Sequence, residues 1–465
     1  MFRVAKLPFV KSNFMKLSPV HLKIIVATVA GCVLLWLGVN VYAGKRADSW
    51  LQEFVAASEK SQSYHLRNLQ HQRGLLSSEG HVDVALIDDC GGLSRSESMT
   101  TRLTYRLKHT IFPLALMNIE WSIEPLGKQR ETFEKLFSGE ARLEGRGKVG
   151  LNGDVHSDMR LPEIRWSSQG TRLTVSPSVG TIVVGKDTLK LDWHTGKIST
   201  RGKDSAMAID DLRLAIDLTS TSRGLGKVAL MIEKLDTSDF TANGMSLVTQ
   251  VVEKAGRMDI DITPETKLLQ AGGKQFKNLV FDFGIHGLHA ESTDYVFKLA
   301  QTSCNFQNLT QQETDKLHAS LRKLLYEGFS VGIGRISGTV DGGDLDGKWS
   351  VTLAKTPGDE FFLMPVLTSQ GELSLTGKDI KQIEKKTLIA LGFAQEIPDG
   401  MRGSYDFANG VLKLNGKVSE AALIETMLQT IEQKIRSFLR GEPIPGTGND
   451  PAEEEMEAPA EALET

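Results

Sequence analysis

The sequence predicts a mainly β fold of the α+β kind: elongated, curved antiparallel sheets with a few covering helices, preceded by one N-terminal transmembrane helix. Three observations predict it. Apolar and polar residues alternate over many short runs, clusters of Gly, Asn, Asp and Pro separate those runs, and one twenty-residue stretch near the start is free of charge.

That stretch, Ile24 to Ala43, reads IIVATVAGCVLLWLGVNVYA. As a helix it rises about 30 Å, enough to cross the hydrocarbon core of a bilayer, so membrane lipid is its expected partner. Arg3, Lys6, Lys11, Lys16 and Lys23 precede it, which places segment 1–23 in the cytoplasm and everything after 43 on the far side of the membrane, a single-pass topology. Val41-Tyr42-Ala43 also fits a signal-peptidase site, with cleavage after Ala43. Secretory apolar regions run to about 15 residues at most, so an uncleaved anchor is the expectation. Either outcome exports the body, and a start at Met15 keeps the anchor and part of its basic flank.

After the anchor, Ala47, Trp50, Leu51, Phe54 and Val55 recur at helical spacing, predicting an amphipathic stalk helix over 44–62 that packs on the body. From about residue 63 the period becomes two. Leu212, Leu214, Ile216 and Leu218 alternate with polar neighbours, as do Leu279, Phe281, Phe283 and Ile285. Such runs predict antiparallel strands with one dry face and one wet face. Helical spacing returns near 245–255, 310–327, 378–392 and 419–440. At 465 residues the chain exceeds one ordinary domain, and two β-rich parts, 63–258 and 259–445, are expected. Segment 446–465, rich in Pro, Glu and Ala, lacks the apolar content to fold and is expected to be a disordered acidic tail.

Charge and cysteine usage remove several function classes. Residues 1–46 hold seven Lys and Arg and no acid, whereas 446–465 hold seven acids and no base, so the two ends cancel and the body carries the net −4. A near-neutral body without a basic stripe gives no support to nucleic-acid binding. Of three cysteines, Cys32 falls in the apolar stretch. Cys90 and Cys304 are then the one pair that could bridge in an oxidising compartment, the alternative being two separate buried thiols.

Catalytic spellings occur without their structural context. Gly145, Gly147 and Gly150 match a dinucleotide loop but run into strand-like alternation, so they read as strand or turn glycines. Gly328-Phe-Ser330-Val-Gly332 matches a nucleophile elbow, yet helix precedes strand there, the reverse of what the elbow needs. Asp341, Asp344 and Asp346 read as hairpin residues, and His286 and His289 are spaced to lie on opposite faces of a strand. No cofactor, metal or catalytic residue is assigned.

Gly44-Lys45, the amphipathic helix after it, and the motif Arg73, Gly74, Leu75, Leu76, Ser77, Ser78, Glu79 together resemble the opening of the YdgA-like family of Gram-negative envelope proteins. The family's His-Gly-Pro motif is replaced by Lys108-His109-Thr110-Ile111-Phe112-Pro113. The run from Tyr405 to Lys417 resembles that family's closing strand pair and, more weakly, the ends of AsmA-like proteins. The resemblance implies a periplasm-facing, inner-membrane-anchored protein and supplies no catalytic residue. Within the motif, Gly74 is expected to permit a tight strand-to-strand transition, with Leu75 and Leu76 opening a buried run.

The functional expectation is a non-enzymatic envelope protein that binds lipid or a protein partner through a sheet surface, with self-association left open. The alternative is a periplasmic hydrolase with a site built from dispersed Asp, Glu, His and Ser.

Overall fold

A computed structural model describes residues 64–86, 100–109, 116–127, 130, 142–150, 152–168, 170–203, 205–302, 309–340, 343–356, 360–377, 382–390, 392–419 and 422–440, together with helical residues between 42 and 58. Apart from Tyr42, the Ile24 to Ala43 stretch lies outside the described residues, as do Cys90, Cys304 and the acidic tail. Among the described residues no helix is long and apolar enough to cross a membrane.

Among the described residues the body is one 22-stranded antiparallel sheet with five helices besides the N-terminal helical segment. Its first strands are β1 (Tyr64–Arg73), β2 (Ser77–Leu86), β3 (Thr100–His109), β4 (Met117–Pro125), β5 (Leu143–Val149), β6 (Val155–Leu161), β7 (Ile164–Ser168), β8 (Thr171–Val175) and β9 (Ser178–Val184). Longer strands follow: β10 (Leu189–Arg201), β11 (Ala206–Ser220), β12 (Leu225–Thr237), β13 (Phe240–Lys254), β14 (Arg257–Ala271) and β15 (Lys274–His289). After helices α1 (Ala290–Thr302) and α2 (Gln311–Glu327) come β16 (Phe329–Val340), β17 (Gly343–Leu353), α3 (Leu363–Val366) and β18 (Leu367–Thr376). The chain ends with α4 (Gln382–Ala390), β19 (Gln395–Ile397), β20 (Gly400–Ala408), β21 (Val411–Leu414), β22 (Lys417–Val418) and α5 (Ala422–Leu439).

The topology is a meander in which each strand pairs with the next along the chain. One adjustment is that β6–β7 and β8–β9 are the two arms of a single long hairpin. The other is that β20 pairs with β18 on one side and with β19, then β21, on the other. Two Asn-Gly turns with both residues at positive φ, Asn409-Gly410 and Asn415-Gly416, close the last hairpins, a conformation that matches the twist of the flanking strands. Among the described residues β1 and β22 do not pair, so the sheet stays open. Strand β14 pairs with β13 on one side and β15 on the other, so the ladder runs unbroken across 258/259.

The helical expectation at 245–255 is corrected: these residues lie in β13 and its turn. Val248 and Val252 supply apolar residues at helical spacing, but Met245, Leu247 and Val251 also satisfy period two, and the valines favour a strand. The helices near 310–327, 378–392 and 419–440 are present as α2, α4 and α5. Thr310 caps α2 by accepting the Glu313 N–H while Glu313 returns a bond to the Thr310 N–H. Helix α1 was not legible, because its cap is His289, whose Nδ1 accepts the Ser292 N–H at 3.2 Å.

Three buried clusters hold the covering helices. Ala47 and Leu51 of the N-terminal helical segment pack on Tyr105, Leu107 and Met117. Met258, Ile260, Leu288 and Ala290 pack with Leu324 of α2, and Leu353, Phe361, Leu363 and Val366 pack with Leu428, Ile435 and Leu439 of α5.

Candidate functional site: an uncovered apolar sheet face

Cross-strand partners share a face, so the register can be followed laterally. One row runs Ser78, Leu107, Ile119, Gly147, Ser157 and Ile182 from β2 to β9. It continues through Leu191, Ile216, Val228, Thr249, Ile262 and Phe283 from β10 to β15. It ends with Ile333, Trp349, Gly371, Tyr405 and Leu414. No position along it is charged, and at about 4.8 Å per strand it spans about 75 Å. The neighbouring row faces the other way and includes Lys108, Lys148, Lys190, Asp217, Lys227 and Asp261.

The helices cover this apolar face only in part. From Ile182 to Thr249 every side chain of the row is half-buried rather than buried. Leu247, one row over, is 41% exposed, and Trp349 and Leu373 are also exposed. Near the end of the sheet the face deepens into a cavity of about 450 Å³ lined by Trp349, Leu373, Leu388, Phe393 and Met401.

A crease crosses the sheet below these rows. Asp211, Gly244 and Asn278 have φ of 53°, 59° and 50°, and they occupy one lateral line on β11, β13 and β15. Across it the apolar alternation slips by one residue, from Leu212 to Ile209 on β11 and from Met245 to Ala242 on β13. A second apolar row thereby forms: Ile198, Ile209, Leu235, Ala242, Leu269 and Phe276.

The wet face carries a polar groove of about 940 Å³ lined by Asp261, His286, Ser330, Lys348, Glu372 and Asp406 among others. Ser330 stands opposite His286 in the β15–β16 ladder, and His286 Nε2 lies 2.7 Å from Asp261 Oδ1. Both members of that pair are 51% exposed, so solvent screens them and neither is held in the dry surroundings that acid–base chemistry exploits. A bulge at Gly287 separates His286 from His289, which bonds Ser292 instead. Among the described residues no group of three His, Cys, Asp or Glu is arranged to hold a metal. Gly145 and Gly147 lie within β5, and a Cβ at Gly145 would stand 2.2 Å from the Trp121 ring.

The motif 73–79 is placed at the β1–β2 turn and ties the N-terminal helical segment to the sheet. Arg73 pairs with Asp48 at 3.1 Å, and His71 Nε2 lies 2.8 Å from the same carboxylate, though not aligned as a hydrogen bond. His71 Nδ1 meets the Tyr105 hydroxyl at 2.9 Å. Burial holds the His71 ring below its usual basicity, against the pull of Asp48, and burial together with Asp48 pushes the Tyr105 phenol up to about 12. A Cβ at Gly74 would stand 2.7 Å from the Ser77 carbonyl, which explains glycine there. Ser78 is buried and its Oγ lies 2.9 Å from His109 Nε2, while Glu79 pairs with Arg106. Leu75 and Leu76 correct the expectation of a buried run: they are 53% and 48% exposed, because the turn carries them past the end of both strands.

The class these features define is a mainly β protein built on one open sheet with a charge-free face. Its chain belongs to a bacterial family of proteins of unknown function, DUF945, whose model matches residues 21–463. Comparisons with curated proteins and with solved structures give no match.

Proposed function

We propose that the protein is a non-enzymatic component of the bacterial cell envelope, held in the inner membrane by Ile24 to Ala43, with its sheet in the periplasm receiving lipid acyl chains on the apolar face. The observation that carries the reading is the charge-free row from Leu107 to Leu414, uncovered over its middle strands. The half-buried aliphatic side chains along this strip, Ile182, Leu191, Ile216 and Val228, gain when they exchange water for hydrocarbon, at about 25 cal/mol per Å² of apolar surface covered. The basic flank before the apolar stretch supports the topology, and the resemblances to YdgA-like and AsmA-like envelope proteins agree with it.

The test is mass spectrometry of lipid retained by the full-length protein after mild detergent extraction. The reading expects phospholipid at a fixed ratio to protein, lost when Leu214 and Leu230 on the face are both replaced by Glu. Absence of lipid from the unmodified protein, or a stoichiometric protein in its place, would reject it.

A further inference from the structure

We infer that the β1–β2 turn is seated in the interface of the same bilayer that the apolar stretch enters, with Leu75 and Leu76 reaching into it; this rests on the anchored reading above. Gly44 follows the last residue of that stretch directly in sequence. A Cβ there would stand 3.1 Å from both the Arg73 side chain and the His109 ring, so the turn lies beside the point where the chain leaves the membrane.

The turn is built for such a place. Its two leucines are adjacent, exposed and held outward, since the backbone behind them is fixed. Gly74 N–H donates to the Ser77 carbonyl at 2.8 Å, and His109 N–H donates to the Leu76 carbonyl at 2.8 Å. His109 Nδ1 donates to the Leu75 carbonyl at 3.2 Å, which leaves Nε2 to accept from the Ser78 hydroxyl. Both leucine carbonyls thus have partners supplied by the protein, which removes the acceptor half of the cost of bringing this backbone towards hydrocarbon and suits a seat in the polar interface rather than the bilayer core. Arg73 and Lys108 keep solvent-accessible side chains near the turn although each is paired with a carboxylate, Asp48 and Glu120, and the exposed Lys45 follows Gly44, so cations are at hand for anionic headgroups. Successive strands rotate by about 20°, so turns further along the sheet leave this plane and only the first strands stay against the membrane.

The experiment uses the full chain with Cys32, Cys90 and Cys304 replaced by Ser, in vesicles of phosphatidylethanolamine and phosphatidylglycerol. An environment-sensitive fluorophore is attached to Leu75→Cys or, as control, to Ser238→Cys, an exposed position in the β12–β13 turn at the other end of the strands. The inference expects blue-shifted emission at position 75, quenched by lipids carrying a nitroxide near the headgroup, and unquenched water-like emission at 238. Matching water-like emission at both positions in protein that floats with the vesicles overturns the seating and leaves the anchor standing. Protein that does not float overturns both.

Discussion

Pro162 and Pro177 face each other across one hairpin, since Leu161 pairs with Ser178 and Ile164 with Val175 on either side of them. Neither can donate to the ladder, so the hairpin is hinged where they meet. The same lateral line continues through Gly196 to Asp211, Gly244 and Asn278, and the two prolines are therefore the start of the crease that crosses the sheet.

Substitutions on the crease should separate by backbone conformation rather than by chemistry. Gly244→Val places a branched side chain at φ 59° and should cost about 1–2 kcal/mol, read as a lower denaturation midpoint. Asn278→Gly keeps the left-handed conformation open and should fall within about 0.5 kcal/mol of the parent. Equal effects at the two sites would deny the crease a conformational cause.

The Asp83–Arg102 pair is a second point of strain if cut. Arg102 donates twice to the nearly buried Asp83 carboxylate, Nε to Oδ1 at 2.7 Å and Nη2 to Oδ2 at 3.1 Å, and Asn68 adds a third bond. Arg102→Ala leaves that carboxylate with Asn68 as its one side-chain donor and, with the Arg102 side chain itself 36% exposed to screening solvent, should destabilise by about 1–3 kcal/mol in chemical denaturation. A loss below about 1 kcal/mol would mean that water reaches the carboxylate.

Acidification should weaken the junction between helical segment and sheet. His71 is held below its ordinary value of 6.5, mainly by burial, so the unfolded chain binds the proton more readily than the folded one. The stability that the neutral ring contributes is present above pH 6.5 and is lost as pH falls from there through the depressed folded value. Asp83, lowered chiefly by its bonds from Arg102, adds a separate loss below its ordinary 3.8. Melting temperatures between pH 7 and 5 should fall in the parent and flatten in His71→Gln; parallel slopes would assign the effect to another group.

Much of the fold was legible because one dry face per strand writes a period of two into the sequence, as at Leu212 to Leu218. The crease was not, because a left-handed residue resets the alternation and makes Asp210-Asp211 look like a polar interruption rather than one strand continuing. Segment 245–255 reads as a helix in sequence because apolar valines on both faces of β13 imitate one. The candidate face could not be read from any one motif, since it exists only once seventeen strands are in register. Hydropathy alone points Leu75 and Leu76 to a core, because it does not distinguish an outward turn from a strand facing the interior.

The most direct measurement is photocrosslinking in intact cells from a benzophenone amino acid placed at Leu247 on the apolar face, with Lys227 on the wet face as reference. The account predicts a light-dependent phospholipid adduct at 247 and none at 227. Adducts to a protein at 247, or the same yield of lipid at both positions, would contradict it.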